Sequence, residues 1–122
     1  AIAVAEKADI VATGIHGGDH YIYPDCRPNF FESMGQAMKY ATEGHSKENF
    51  KLEAPFLEIG KEDIVEYGTE IGVDYSLTWS CYKGGDIHCG TCGTCYERQE
   101  AFLLAKVKDP TTYYKRPVAF QA

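Results

Sequence analysis

Apolar residues recur along this chain in two alternating rhythms. Residues 9–15, Asp-Ile-Val-Ala-Thr-Gly-Ile, form a short, mostly apolar run bounded by turn formers, which predicts a buried parallel strand. Ahead of it, residues 1–7 read as the last turns of a helix. Pro28 suits the first turn of a helix, where its fixed φ is helical and its missing N–H would be unsatisfied anyway. After it, Phe30, Met34, Ala37, Met38 and Ala41 recur at spacings of three and four before Gly44, predicting an amphipathic helix with that face in the core. Residues 50–56 read as a second short strand closed by Pro55. A second amphipathic helix is predicted near Lys61, with Ile64, Val65, Tyr67, Gly68 and Ile71 inward and Gly72 as its C-cap. A third spans 96–107, with Ala101, Phe102, Leu104 and Ala105 available for packing. Trp79 is expected in the core, and residues 109–122 read as an irregular aromatic tail.

Strand and helix in alternation point to an α/β fold. Two strands are too few for a complete doubly wound sheet, so the pattern is that of part of one. The turn-rich stretch 16–28 falls at the carboxyl end of the first strand, where open α/β sheets bind ligands. A chain of 122 residues has the size of one domain, over 1–122. No apolar run approaches the roughly 20 residues that cross a bilayer, and the first residues lack the basic start and long apolar stretch of a signal peptide. No membrane association is expected, and the location predicted is the cytoplasm. The chain starts without Met and within a helical pattern, so further sequence is expected upstream.

A formal net charge of −6 argues against a module living on phosphate contacts, and no direct nucleic-acid binding is expected. Of five cysteines, Cys26 stands alone and four crowd together as Cys81, Cys89, Cys92 and Cys95. Scattered, even-numbered cysteines would suggest a secreted disulfide framework; this clustering suggests a metal in a reducing compartment. Thiolates two residues apart can turn back onto one ion through a tight knuckle, and Gly90 and Gly93 sit inside the two short steps. Gly84 and Gly85 give the longer arm the slack to bring Cys81 round. Four thiolates at about 2.3 Å complete a tetrahedral zinc shell with no open position, so the zinc-binding loop over 78–96 is predicted to be structural. The rival is an iron–sulfur cluster, against which stand the upstream fourth thiol and the lack of a following Cys-Pro. His88 is read as a loop residue or as a hydrogen-bond donor beside the ligands.

Two stretches together carry a resemblance: Tyr-Pro-Asp-Cys-Arg-Pro-Asn-Phe over 23–30, and the cysteine segment 81–102. Both resemble the carboxyl-terminal half of the 7-cyano-7-deazaguanine synthases, the QueC (ExsB) family of queuosine biosynthesis. The resemblance covers nearly the whole chain. It implies a Rossmann-like adenine nucleotide α-hydrolase (PP-loop) fold, here partial, and four cysteines on zinc, one ion per chain. The reaction it implies converts 7-carboxy-7-deazaguanine and ammonia to the nitrile with ATP and Mg2+. The carboxylate is adenylated, becomes an amide, and the amide is dehydrated. The family's phosphate loop, Ser-Gly-Gly-x-Asp-Ser, is absent; Gly17-Gly18-Asp19 and Gly84-Gly85-Asp86 lack its flanking residues and are read as turns. The chain alone is therefore expected not to hydrolyse ATP, and the sheet edge that a half-fold would leave makes a homodimer an expectation.

On the same resemblance Asp25 and Arg27 are assigned to substrate. A carboxylate can accept from the N–H and exocyclic amine of a deazaguanine, and a guanidinium fork matches a carboxylate. Tyr23, with Tyr21, offers a ring for stacking. Taken alone, Asp25 and Arg27 fit a loop salt bridge or a turn before Pro28 better than a ligand site; the resemblance reverses that preference. Lys61, opening a helix, is assigned to nucleotide phosphate, against the alternative of a solvated lysine in an acidic run. Cys26 is read as a packed thiol and not a nucleophile, and His16 and His20 as solvated loop residues. Catalytic residues are left unassigned. Two other functions remain open at this point: a non-catalytic zinc-ribbon binding module, and a PP-loop enzyme amidating or thiolating another carboxylate.

Overall fold

In the computed structural model, which describes residues 1–116, the chain packs as two units, one running to Gly60 and the other beginning at Lys61. Length predicted one domain over 1–122. Residues 117–122 of the expected aromatic tail lie outside the described residues.

The first unit opens with a helical turn, α1 (Ile2–Ala5), and holds two strands, β1 (Ile10–Ala12) and β2 (Lys51–Glu53), paired in parallel with Val11 opposite Leu52. Parallel pairing requires a crossover long enough to bring the chain back to the same end, and the 14-residue helix α2 (Pro28–Ala41) supplies it. The ladder runs one bond further at each end, Lys51 N–H donating to Asp9 O and Thr13 N–H to Glu53 O. Both strands are shorter than their apolar runs. The first is not buried as predicted: Ile10 is 44% exposed, because among the described residues the sheet has only two strands.

Helix α2 begins at Pro28 as its sequence requires, and Thr42 Oγ1 donates back to Met38 O at its end. Gly44 follows in the left-handed conformation, φ +77°. Its inward face differs from the expected one. Of the five residues expected inward only Met38 is half-buried; Phe30, Met34, Ala37 and Ala41 are exposed, Phe31 and Gly35 are half-buried with Met38, and a Cβ on Gly35 would touch the Leu52 side chain of β2. Positions 31, 35 and 38 satisfy helical periodicity as well as 30, 34, 37 and 41 do, so the pattern admitted either stripe and contact with β2 selected one.

The second unit is built on two helices, α3 (Lys61–Glu70) and α4 (Gly93–Leu104), packed through Val65, Ala101 and Phe102, with Tyr75, Ala105 and Val107 against them. The Tyr75 ring meets Phe102 edge-on, 5.0 Å between centroids, and its hydroxyl donates to the Ile64 and Val65 carbonyls of α3. Gly68 sits under that hydroxyl: a Cβ there would overlap Tyr75 Oη and come within 2.9 Å of Cζ. Gly72 ends α3 with φ +80° as predicted, and Val73 N–H closes on Gly68 O. Tyr67, Ile71 and Leu104, assigned inward from sequence, are exposed, because two helices in contact bury only one narrow stripe of each. Trp79, expected in the core, is 51% exposed; it stacks on His88 and spends its indole N–H on Cys81 O. No helix among the described residues is long and apolar enough to cross a membrane.

Candidate metal centre and ligand loop

The chain between the turn Tyr75–Leu77 and α4 folds back on itself so that Cys81, Cys89, Cys92 and Cys95 converge. Their four sulfurs lie within 4.8 Å of one another, and Cys89 Sγ to Cys95 Sγ is 4.0 Å. A tetrahedron with metal–sulfur bonds of ~2.3 Å has edges of ~3.8 Å, so the donor set fits a single ion of zinc type. Local backbone geometry makes the convergence. Thr91 and Cys92 N–H groups both point at Cys89 Sγ, at 3.4 and 3.3 Å, and Cys89 N–H points at Cys81 Sγ, at 3.4 Å. Gly90, at the apex between them, holds φ +75°, a conformation that favours glycine. Cys92 is the N-cap of α4 and Cys95 lies in its first turn, so both sulfurs sit at the positive end of the helix dipole.

Two of the four thiols titrate in opposite directions. A hydrogen bond from Thr94 Oγ1, 3.3 Å away, leads the effects that draw Cys92 down to about 5. Burial, complete at Cys95, pushes that thiol up to about 12. Backbone donation from Thr91 lowers Cys89. Thiolates are the ligating species, so the centre is already biased toward the charged form on its exposed side, and the buried thiol gives up its proton only against a cation.

The structure surrounds this centre with buried polar side chains, of which Arg98 and Gln99 were passed over by the sequence reading. Arg98, 9% exposed on α4 one turn after Cys95, donates four hydrogen bonds: to Thr111 Oγ1 (2.8 Å), Thr78 Oγ1 (2.8 Å), Tyr75 O (2.9 Å) and Ser80 Oγ (3.2 Å). Its guanidinium also lies 5.4 Å from the Phe102 ring centre. It ties the segment that leads into Cys81 to the helix that carries Cys95. Spacing held a signal for it, since positions 95, 98, 99 and 102 share one face of α4 and all are buried. His88 is buried as well, and it accepts: its Nε2 takes the Ser80 N–H at 3.0 Å, which makes Nδ1 the protonated nitrogen in the neutral ring. Burial lowers its pKa and so favours that neutral form.

The predicted ligand loop lies in the first unit. Tyr23, Asp25 and Arg27 follow one another through the turn Pro24–Cys26 and are all exposed. Arg27 Nε donates to His20 O at 2.7 Å, and Arg27 borders a cavity of about 420 Å3 with His20, Tyr21, Pro28 and Asn29. Tyr23 and Asp25 do not line it. His16, read as solvated, is buried, with Nε2 3.2 Å from the Asp19 carboxylate. Cys26 is half-buried, and burial, with the charges of Asp25 and Asp19, raises its pKa, in keeping with a packed thiol. Gly17–Asp19 forms a short helical turn, and Gly84 and Gly85 both have positive φ, so the two Gly-Gly-Asp stretches are turns. In the second unit, Lys61 opens α3 and forms an ion pair with Glu97 of α4.

Taken together, fold and centre define an α/β chain whose four-cysteine knuckle leads directly into a helix. Residues 1–106 match the family described as queuosine biosynthesis protein QueC, and the chain belongs to that family. It is 53% identical over 115 residues to a 7-cyano-7-deazaguanine synthase of Rhizobium etli, an alignment covering 94% of this chain and 48% of that protein. Synthases of the same name from Allorhizobium ampelinum and Brucella ovis are 54% and 53% identical over 112 residues, 92% of this chain and 47% of each. The chain spans about half the length of the curated relatives it matches.

Proposed function

We propose that this chain is the substrate- and zinc-binding half of an enzyme that converts 7-carboxy-7-deazaguanine and ammonia to 7-cyano-7-deazaguanine with ATP, in queuosine biosynthesis. The single observation that carries the reading is identity above 50% to synthases of that name across nearly the whole chain. The finer fold assignment, part of a Rossmann-like PP-loop sheet, is supported by the parallel β1–α2–β2 unit and by the loop at the carboxyl end of β1.

The four cysteines would hold Zn2+, which supplies rigidity to the segment before α4 and, with all four positions taken by thiolates, no Lewis-acid chemistry. Arg27 is assigned to the substrate carboxylate, with its fork partly held by His20 O, and Asp25 to the donor edge of the deazaguanine, with Tyr23 for stacking. In the sequence of steps, the carboxylate attacks the α-phosphorus of ATP, releasing pyrophosphate; ammonia displaces AMP to give the amide; loss of water from the amide gives the nitrile. Lys61 is assigned to the nucleotide, which would have to draw it from its pairing with Glu97. The phosphate loop is missing from this stretch, so the chain by itself is expected to bind the acid without turning it over.

Calorimetric titration of the zinc-loaded chain with 7-carboxy-7-deazaguanine tests this. Binding is expected, and Arg27→Met and Asp25→Asn should each weaken it by about tenfold, the effect of one charge-assisted hydrogen bond. Wild-type affinity in both variants would remove the loop from the assignment. No heat of binding to the acid, with zinc present at one ion per chain, would remove the substrate from this half.

A further inference from the structure

We propose that residues 109–116 form a strap that holds the four-cysteine centre closed and limits how fast a bound ion leaves it. The first observation is the contact at Gly90, the apex of the knuckle between Cys89 and Cys92. A Cβ at Gly90 would overlap the carbonyl oxygen of Lys115, come within 2.8 Å of its carbonyl carbon and lie 3.3 Å from Tyr113 Cβ. Backbone therefore rests on backbone there, with no space for a side chain. Buried Gln99 also holds the apex, donating from one amide nitrogen to Gly90 O at 3.4 Å and to Cys95 O at 2.9 Å. The apex is held by Gln99 as well as by the backbone of Lys115.

The second observation is a bridge in parallel pairing between His88 and Tyr113, closed by donation from Tyr114 N–H to His88 O at 2.8 Å. The Tyr113 ring meets the His88 ring at 5.7 Å, and His88 Nε2 accepts the Ser80 N–H beside Cys81. Through His88 the strap touches the approach to the first ligand, and through Gly90 it touches the turn between the second and third.

The strap is itself tied down. Asp109 accepts from Thr111 N–H at 2.9 Å and from the Tyr113 hydroxyl at 2.7 Å. Arg116 donates to Thr111 O at 3.0 Å and lies 4.8 Å from the Tyr113 ring centre. Buried Thr111 takes a bond from Arg98, which anchors the strap to α4. For an ion to be lost, a thiolate must swing away from its partners. Cys89 and Cys92 are the half-buried pair able to do so, and the turn between them cannot open while Lys115 lies across it.

Three substitutions separate the strap from ordinary backbone strain. Gly90→Ala and Gly84→Ala both force alanine into the left-handed region, at φ +75° and +68°, within the same loop, but nothing lies within 4 Å of a Cβ at Gly84. Tyr114→Pro deletes the N–H that bonds His88, at a residue whose side chain is 84% exposed, and fixes φ there in the extended range that the strap's pairing uses. Zinc-loaded full chain is mixed with excess EDTA and a chromogenic zinc indicator, and the release rate is read; cobalt-loaded chain gives the thiolate-to-metal absorption as a readout of the ligand set. Release about tenfold faster is expected from Gly90→Ala and from Tyr114→Pro, the effect of one lost net hydrogen bond, with the cobalt spectrum unchanged and Gly84→Ala near the wild-type rate. Gly90→Ala releasing no faster than Gly84→Ala, or Tyr114→Pro releasing at the wild-type rate, would overturn the strap. An altered cobalt spectrum in Tyr114→Pro would also overturn it, by making residues 109–116 part of the ligand geometry and not a brake on release.

Discussion

Replacing Arg98 with methionine keeps most of the side-chain volume while removing the charge and every donor. Four acceptors lose a partner: the hydroxyls of Thr78, Ser80 and Thr111 and the carbonyl of Tyr75. Hydrogen bonds to a charged group contribute roughly 1.5–3 kcal/mol each, so four would sum to roughly 6–12 kcal/mol if they were independent. They are not, since one guanidinium makes all four, and stripping it of water costs several kcal/mol that methionine avoids. Thr111 is buried, whereas Tyr75, Thr78 and Ser80 are half-buried and can recruit water, so the net loss should be about 2–4 kcal/mol. For a chain of this size that is a fall in melting temperature of roughly 10 °C. Thermal and urea unfolding of the zinc-loaded chain measure it, and Arg98→Lys is the control. A lysine keeps the charge but not the planar fork, so it should recover less than half of the loss. A methionine variant within about 0.5 kcal/mol of wild type would refute the reasoning, because the guanidinium's bonds would then do no more than offset its desolvation.

Two further outcomes rest on single positions. Glycine to alanine inside a helix ordinarily stabilises by about 1 kcal/mol, but at Gly68 the added methyl meets the Tyr75 hydroxyl, which is bonded to α3 and whose ring is packed on Phe102, so Gly68→Ala should destabilise by about 1–3 kcal/mol in urea unfolding. A gain in stability would mean that Tyr75 moves aside freely. At Cys26, burial, aided by Asp25 and Asp19, raises the thiol pKa, so at any given pH the folded chain carries less thiolate there than a free cysteine does. Iodoacetamide labelling followed by peptide mapping should therefore be slower at Cys26 than for free cysteine at pH 8, and the lag should narrow as pH rises through the free-cysteine range. Labelling at Cys26 faster than that of free cysteine would contradict the burial seen here.

The convergence of the four cysteines was legible in the order of the residues because it is local. Fifteen positions span all four sulfurs, and glycines permit the turns between them, so spacing alone brings the thiols within reach of one ion. The strand–helix–strand order, the start of α2 at Pro28 and the left-handed end of α3 at Gly72 were legible for the same reason: each is decided within a few residues. Expectations about burial fared differently. Helix α2 carries two overlapping apolar stripes, and only contact with β2 decides between 30–34–37–41 and 31–35–38. Trp79 has the composition of a core residue, yet the loop around the cysteines leaves one face of it open, with His88 against the other.

What the sequence by itself determined, then, is the chemistry that depends on neighbours along the chain: four thiols in one knuckle, helices with defined ends, and two stretches that identify the family. What only tertiary structure decided depends on residues far apart in the chain. Arg98 finds Tyr75 across 23 positions, and Gly90 lies beneath Lys115. A charged residue on a helix face and a glycine in a turn carry no local sign of such partners, because closing a long loop is driven by the summed packing of the unit and not by the residues that happen to meet.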